Sequence, residues 1–248
     1  MGLLSDFPKI ICPFIRQNFA VERDLWKKHG GRLQLKEPQV YLVVNRTNPG
    51  YEWVFEDPDT FAVEKLDGTN IKILTEKGRL ISVQNRLNVI DPLQIIGGKN
   101  FLVEGIFRSI GKNYVNPDGE QVGELIGPKL QGNPYKLEFH EWYPFSKAIT
   151  DLRFKSFEEH ERNFDNWSSW FQNYLHSRYF TKRTRMGENS EKVFAEGIIF
   201  YNLKRKAEGK SYMAKLRRSM FDWFYQDIGV KDYIKAGRDE IIDQEALD

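Results

Sequence analysis

The sequence predicts an α+β domain built largely of antiparallel sheet. Three observations carry that expectation. Short runs alternate apolar and polar residues at strand period, and two of them, within 70–85, are joined by a tight turn as in a hairpin. One later segment instead repeats aromatics at the spacing of a helix face. No internal repeat, low-complexity tract or Ser/Gly/Pro-rich linker divides the 248 residues, so a single domain over 1–248 is expected.

Taken in order, residues 1–35 read as an N-terminal extension with a short helix near Val21–His29, ended by Gly30 and Gly31. "VYLVVN" (40–45) is a strand and "RTNPGYEW" a turn-bearing connection. "TFAVEKL" (60–66) is the next strand. The hairpin "NIKILTEKGRLISVQN" (70–85) turns at Glu76-Lys77-Gly78. Residues 99–111 fit either a helix or a strand. "NPDGEQ" is a turn, "QVGELIG" (121–127) a strand, and "YKLEFHEWYPF" (135–145) a strand with polar/aromatic alternation from Glu138 to Trp142. Phe157, Phe164, Trp167, Phe171, Tyr174 and Leu175 mark one face of an amphipathic helix. "VFAEGIIFYN" (193–202) and "SYMAKLR" (211–217) form a final strand pair, and 218–248 a short helical tail.

Aromatic content is high, with 18 Phe, 11 Tyr and 6 Trp, so an aromatic-rich core is expected. No apolar run approaches the roughly 20 residues that span a bilayer. The N-terminus has no basic start followed by a continuous apolar run, so no secretory signal is expected. Cys12 is the single cysteine, which excludes an intrachain disulfide and a Cys-rich zinc site and fits a reducing, cytoplasmic setting. His29, His140, His160 and His176 have no metal-ligand spacing and read as structural or surface groups. Net charge is only +2, yet Lys204–Arg218 holds seven basic residues against one acid, Glu208, and "RYFTKRTR" (178–185) holds four against none. Local basic stripes on a near-neutral chain suggest a polyanion site at a defined place.

The chemistry centres on "EKLDGTNIKI" (64–73). If Ala62, Glu64 and Leu66 share one face of the strand, Phe61, Val63 and Lys65 share the other, so the lysine lies among apolar neighbours. An amine in such a setting loses solvation, and its neutral form becomes a nucleophile. Gly68 permits close approach of backbone to a ligand, while Thr69 and Asn70 supply short polar groups. Alone, Lys-x-Asp-Gly is a weak motif. Its ordered company raises its value: Arg86, "GELIGPKLQGNPY" (123–135), the aromatic strand ending at Trp142 and Tyr143, "EGIIF" (196–200) and "KLR" (215–217).

This series resembles the covalent nucleotidyltransferase superfamily of polynucleotide ligases and capping enzymes. Within it the chain is most similar to ATP-dependent RNA ligases of the phage type that seal nicked duplex RNA, from about Val40 to Arg217. The resemblance implies a nucleotidyltransferase domain of antiparallel sheets flanked by helices. It implies that Lys65 forms a covalent lysyl-AMP, with Asp67 and Gly68 completing the motif and Asn70 near the phosphates. Glu64 would lie beside the adenine, Arg86 would contact ribose or the phosphate of the bound end, and Glu124 would hold the ribose hydroxyl, with Glu104 a competitor for that role. Trp142 would stack on adenine, with Phe139 the alternative. Glu196 would bind the divalent metal, Mg²⁺ or Mn²⁺, and Lys215 and Arg217 would supply paired cations.

Two departures stand out. The family usually shows Lys-x-Lys where this chain has Lys215-Leu216-Arg217; arginine keeps the charge and adds a phosphate fork. Only 31 residues follow Arg217, so no C-terminal OB-fold is expected. The expected activity is an ATP-dependent RNA ligase acting on RNA with 5′-phosphate and 3′-hydroxyl ends, a nicked duplex being favoured. A DNA ligase core, a capping guanylyltransferase, and a non-catalytic nucleotide- or RNA-binding module of the same fold are the alternatives.

Overall fold

The computed structural model describes residues 10–21, 24, 39–85, 88–90, 100–159, 161–184, 192–228 and 240–241. In chain order the elements are β1 (Phe14–Ala20), β2 (Gln39–Thr47), α1 (Trp53–Glu56), β3 (Phe61–Lys65), β4 (Thr69–Glu76), β5 (Arg79–Gln84) and β6 (Val89–Ile90). Next come α2 (Asn100–Gly111), β7 (Gly119–Ile126), β8 (Glu141–Pro144), α3 (Phe145–Asp151), α4 (Phe164–Asn173) and α5 (Arg178–Thr184). The last are β9 (Gly197–Tyr201), α6 (Leu203–Ala207), β10 (Met213–Arg217) and β11 (Glu240–Ile241), with 3-10 turns at Lys155–Glu158, Arg218–Met220 and Asp222–Ile228. The ladders β1–β11, β1–β2, β9–β10, β4–β5, β4–β7, β5–β6 and β7–β8 are all antiparallel, so the described residues are α+β with antiparallel sheets and helices. The helix expected near Val21–His29 lies, save Val21 and Asp24, outside the described residues, and so does Arg86.

The chain forms two compact units. The first comprises Met1–Lys9, Val63–Arg153 and His176–Ala195. Its frame is a five-stranded sheet of order β6-β5-β4-β7-β8. The predicted hairpin is its centre: Lys77 (φ 49) and Gly78 (φ 74) give the left-handed pair that a two-residue hairpin turn requires. One sheet face carries Ile71, Ile73, Val83, Leu125 and Trp142, all at 0% exposure, packed on Leu102 and Ile106 of α2. This packing resolves 99–111 as a helix, since Leu102, Val103 and Ile106 bury one side of it. The other sheet face is polar, carrying Asn70 and Lys72 from β4, Ser82 and Gln84 from β5, Glu124 from β7 and Tyr143 from β8.

The expected strand over 135–145 is shorter, running only from Glu141 to Pro144. Gln131, Gly132, Asn133 and Lys136 all have positive φ, so the chain before it coils through tight turns. Asn133 fixes that coil, donating its amide to Leu137 O and accepting from Leu137 N, each at 2.9 Å.

The second unit comprises Ile10–Ala62, Phe154–Leu175 and Glu196–Asp248. One sheet has the order β11-β1-β2. In another, β9 pairs with β10 in the register Lys215↔Ile199 and Arg217↔Gly197, as the final strand pair predicts. The predicted 157–175 helix is α4 alone, because Asn163 caps it by accepting from Asn166 N at 2.9 Å. Phe157 sits instead in the 3-10 turn before it, and Tyr174 is 66% exposed at the helix end. The aromatic prediction still holds for the core: Trp167 stacks on Phe55 and Phe200 at centroid distances of 4.9 and 5.0 Å. After β10 the chain makes 3-10 turns, where a helical tail beginning was expected.

Gly123 is set by packing. A Cβ there would lie 2.5 Å from Tyr143 O and 2.7 Å from Trp142 Cε2, so the β7–β8 pairing leaves room only for hydrogen. Gly123→Ala is therefore expected to lower stability by about 1–3 kcal/mol through overpacking, read as a lower urea midpoint at an unchanged slope.

Candidate active site

Lys65 is the last residue of β3, half-buried, with its ammonium 3.5 Å from Leu66 O. Its chain neighbours Val63, Glu64 and Leu66 are all buried. The chain then turns sharply. Asp67 N–H donates to Tyr135 Oη at 2.7 Å, and Gln131 Nε2 donates to Gly68 O at 3.2 Å. Both partners come from the coil after β7, in the "GPKLQGNPY" stretch, which thereby grips the Lys-x-Asp-Gly turn.

Gly68 has a different use from the one expected. A Cβ on it would stand 2.2 Å from Leu125 O and 3.0 Å from Glu124 Cγ. The close approach is to strand β7, and it lets Thr69 pair with Leu125 and Asn70 with Glu124. Asn70 and Glu124 are thus directly opposite on the polar face of the sheet. Glu104, the competitor for the ribose role, sits on the exposed side of α2, 3.4 Å from Arg108 Nε and 3.7 Å from His140 Nδ1.

Two assignments are corrected. Glu64 is not held out for a base: it is 2% exposed, and its two oxygens accept from Ser177 Oγ (2.5 Å) and Tyr179 N (2.7 Å). Those donors belong to the start of α5, so the carboxylate ties β3 to that helix. Trp142 is likewise no platform. Its ring is fully buried in the apolar cluster and its indole N–H donates to Ile71 O at 3.1 Å, so neither ring face is open to stack. The alternation that placed it at the site points its side chain to the apolar face of the sheet. Phe139 is 51% exposed with the Arg108 guanidinium 3.8 Å over its ring.

Tyr143 occupies the polar face where the aromatic strand was expected to serve. It stands opposite Glu124, and its hydroxyl donates to Asp151 Oδ2 at 3.1 Å. Its ring meets Tyr179 edge-on at 5.4 Å, and Tyr179 meets Tyr135 at 5.1 Å. Burial, then Asp151, holds the Tyr143 phenol well above its usual range, so it is a hydrogen-bond donor and not a base. Burial pushes Asp151 upward, but bonds from Lys147, Lys182 and Tyr143 outweigh it and hold the carboxyl below its ordinary value. Reading the sequence alone misses Tyr135, Ser177, Tyr179 and Tyr143. The available signal was slight: Ser177 and Tyr179 lie at the edge of the basic run, and their partner Glu64 is 113 positions from Ser177.

In the second unit, Lys215 and Arg217 share the half-buried face of β10, while Ala214 and Leu216 are at 0% exposure on the other. The predicted alternation therefore holds. Gly197 is required because a Cβ would meet Leu216 O at 2.2 Å. Glu196, just before it, accepts Arg218 N–H at its backbone oxygen (3.0 Å), and its carboxylate is 3.9 Å from Arg217 Nη1. Among the described residues no three His, Cys, Asp or Glu side chains gather as a metal cage.

The chain matches no protein-family model and no curated protein. Among solved structures it is similar to RNA ligases of Naegleria gruberi. A variant of that ligase with ATP and Mn is 15% identical, with a TM-score of 0.34 over 68% of this chain and 51% of that one. The same ligase with pyrophosphate gives 14% and 0.32 over the same shares. An apo variant gives 15% and 0.31 over 91% of this chain and 60% of that one. This chain thus spans about half to three fifths of the length of the structures it matches. Likeness at this level leaves the fold family to be argued from the chain's own residues.

The buried carboxylate gives a pH signature. Burial raises Glu64 from 4.5 to about 7, against the hydrogen bonds from Ser177, Tyr179 and Arg178 that favour its charge. The folded state then holds a proton that the unfolded state has lost between these two values. Stability contributed by this site is greatest below 4.5 and falls as pH rises to about 7, by up to about 1.4 kcal/mol per pH unit. Urea denaturation of wild type and Glu64→Gln should show that slope in their difference, levelling off above pH 7.

Proposed function

We propose that this chain is an ATP-dependent polynucleotide ligase of the covalent adenylyltransferase type, with RNA as its substrate. One observation carries the reading. Lys65 emerges at the end of β3, and the Asp67-Gly68 turn behind it, gripped by Tyr135 and Gln131, leads straight into a strand whose Asn70 stands opposite Glu124. In this reading a nucleophile and Asn70 lie on one short run of backbone, and the β4–β7 pairing brings Glu124 opposite. The ordered motif set supports the same reading. Both units, over 1–248, are read as one functional domain.

In this reading the Lys65 Nζ lone pair attacks the α-phosphorus of ATP. An N–P bond forms, the bond to the β-phosphate bridging oxygen breaks, and pyrophosphate leaves. The amine proton passes to solvent or to the leaving group. The lysyl-AMP is next attacked by a 5′-phosphate oxygen of RNA, releasing Lys65 and forming a phosphoanhydride. A 3′-hydroxyl then attacks the 5′-phosphorus, expels AMP and closes the phosphodiester. A nicked duplex is the favoured form, because it holds the two ends side by side.

Charge on phosphate oxygens dominates such a reaction, so cations and positioning supply most of the catalysis. Lys215 and Arg217 are assigned to that charge. Glu196 would hold Mg²⁺ or Mn²⁺, which supplies Lewis-acid neutralisation of phosphate oxygens when bound. Glu124 is assigned to the ribose hydroxyls and Asn70 to a phosphate. Arg86 keeps the role that the resemblance implies, contact with ribose or the bound end. Glu64 acts from behind, holding β3 on α5.

The test is direct. Incubation with α-labelled ATP and Mg²⁺, then a denaturing gel, should label the 29.2 kDa band, and Lys65→Ala should abolish the label. Lys215→Ala and Arg217→Ala should each slow labelling on the order of 10²-fold. Labelling by GTP alone would move the chain to the capping class, and sealing of nicked DNA in preference to RNA would move it to DNA ligases. Absence of label with either nucleotide, with Mn²⁺ also offered, sinks the enzymatic reading.

A further inference from the structure

The basic run 178–185 has no part in the chemistry above, and in the fold it gains cations from elsewhere in the first unit. α5 exposes Arg178 and Lys182 one turn apart on the same side. Lys147 of α3 reaches the same place. Its ammonium lies 2.9 Å from Asp151 Oδ2, and that of Lys182 lies 3.0 Å from the same oxygen. Lys147 also stands 4.4 Å over the Tyr114 ring. Lys112, paired with Glu141, stands 5.7 Å over that ring. These contacts join a strip of lysines that no single stretch of sequence contains.

The strip presents more positive charge than it balances. Asp151 faces two ammoniums with one negative charge, and its third bond comes from the neutral Tyr143 phenol. Tyr114 orients two ammoniums without neutralising either, because a ring face carries a quadrupole and no net charge. In every pair the acid is the recessed partner. Lys182 and Lys147 side chains are 58% and 29% exposed against 18% for Asp151, and Lys112 is 47% exposed against 8% for Glu141. An incoming polyanion therefore meets ammoniums first. Lys147 and Lys182 are already held by contacts, so little side-chain freedom is lost when it does. The strip also adjoins the Lys65 turn by contact. Tyr143, bonded to Asp151, packs on Tyr179 at 5.4 Å, and the Tyr179 N–H bonds Glu64, the residue before Lys65.

We infer that the strip from Lys112 through Lys147 and Lys182 to Arg178 is a docking surface for the phosphate backbone of the polynucleotide, away from the ends being joined. The occupant follows from charge complementarity: a chain with a phosphate at every nucleotide engages several fixed cations at once. Contacts to phosphate position a strand without reading its bases, so binding here is independent of sequence. The assignment deepens the ligase reading and rests on it for the identity of the polyanion, RNA. An acidic protein and an anionic membrane are the competing occupants.

Fluorescence anisotropy of a nicked RNA duplex, titrated with the full chain over a range of salt, tests the surface without any chemistry. For wild type, log K should fall linearly with log salt. The double variant Lys147→Gln/Lys182→Gln should bind about 10-fold more weakly near 0.1 M salt and reduce the slope by about 2. Lys147→Arg/Lys182→Arg should restore both. Lys182→Gln alone, at a side chain 58% exposed, should reduce the slope by about 1, which keeps the test open if the double variant does not fold. Affinity and slope equal to wild type overturn the inference. So does a loss of affinity at unchanged slope, or one that tracks a lowered Tm and is not restored by arginine. Self-labelling with ATP involves no RNA, so a label slowed in proportion to the lost affinity also overturns it. Wild type that prefers phosphatidylserine vesicles or polyglutamate to RNA at the same salt replaces the occupant and overturns it as well. Absence of RNA binding by a wild type that takes label removes the surface and leaves adenylyl transfer standing. RNA binding that depends on both lysines in a chain that takes no label keeps the surface and overturns the ligase reading instead.

Discussion

One buried carboxylate organises the first unit. Glu64 is sealed from water, yet it accepts the Ser177 hydroxyl and the backbone N–H of Tyr179, one of the N–H groups that the beginning of α5 leaves unpaired. Because Glu64 and Lys65 are neighbours on a strand, their side chains leave on opposite faces. Pinning Glu64 inward on α5 therefore fixes the direction in which Lys65 leaves the sheet. The same start of α5 brings in Tyr179, which packs on Tyr135 and Tyr143. Tyr135 in turn holds Asp67, so the grip on the Lys-x-Asp-Gly turn runs back through two tyrosines, Tyr135 and Tyr179, to one carboxylate.

That arrangement explains why so many polar groups can be enclosed here. The sheet divides its labour by face. Ile71, Ile73, Val83, Leu125 and Trp142 form a dry side against α2, and stability is drawn from that side. Asn70, Lys72, Ser82, Gln84, Glu124 and Tyr143 are left to the other side, where burial is costly for any polar atom that finds no partner. Gly68 and Gly123 serve this division, since both let neighbouring backbone come closer than a side chain permits. The second unit applies the same rule at smaller scale. β10 buries Ala214 and Leu216 and turns Lys215 and Arg217 the other way, with Glu196 close by to share the charge.

The corrected residues show where pattern reading stops. Trp142 and Tyr143 are adjacent, and a strand of aromatics offers no local reason to choose between them. The choice depends on register, and a shift of one residue exchanges the faces. Here the tight turns at 131–136 shorten the strand, and the pairing Leu125↔Trp142 sends the indole into the core. Glu64 failed for a related reason: a glutamate next to Lys65 looks available until a helix more than a hundred positions away claims it.

The sequence by itself determined the α+β character, the hairpin at Lys77-Gly78, the strand pair of 197–217 and the alternation that exposes Lys215 and Arg217. These follow from local rules: a period of two, and a turn that demands positive φ. It also singled out Lys65, because an ordered set of motifs survives in a linear string. Only the tertiary structure decided that Gly68 serves strand β7, that Glu64 is a buried tie, that Trp142 is core, and that Lys147 and Lys182 meet on one carboxylate. Each of those depends on which distant backbone lies alongside, and burial, unlike periodicity, is not a property of any short stretch of chain.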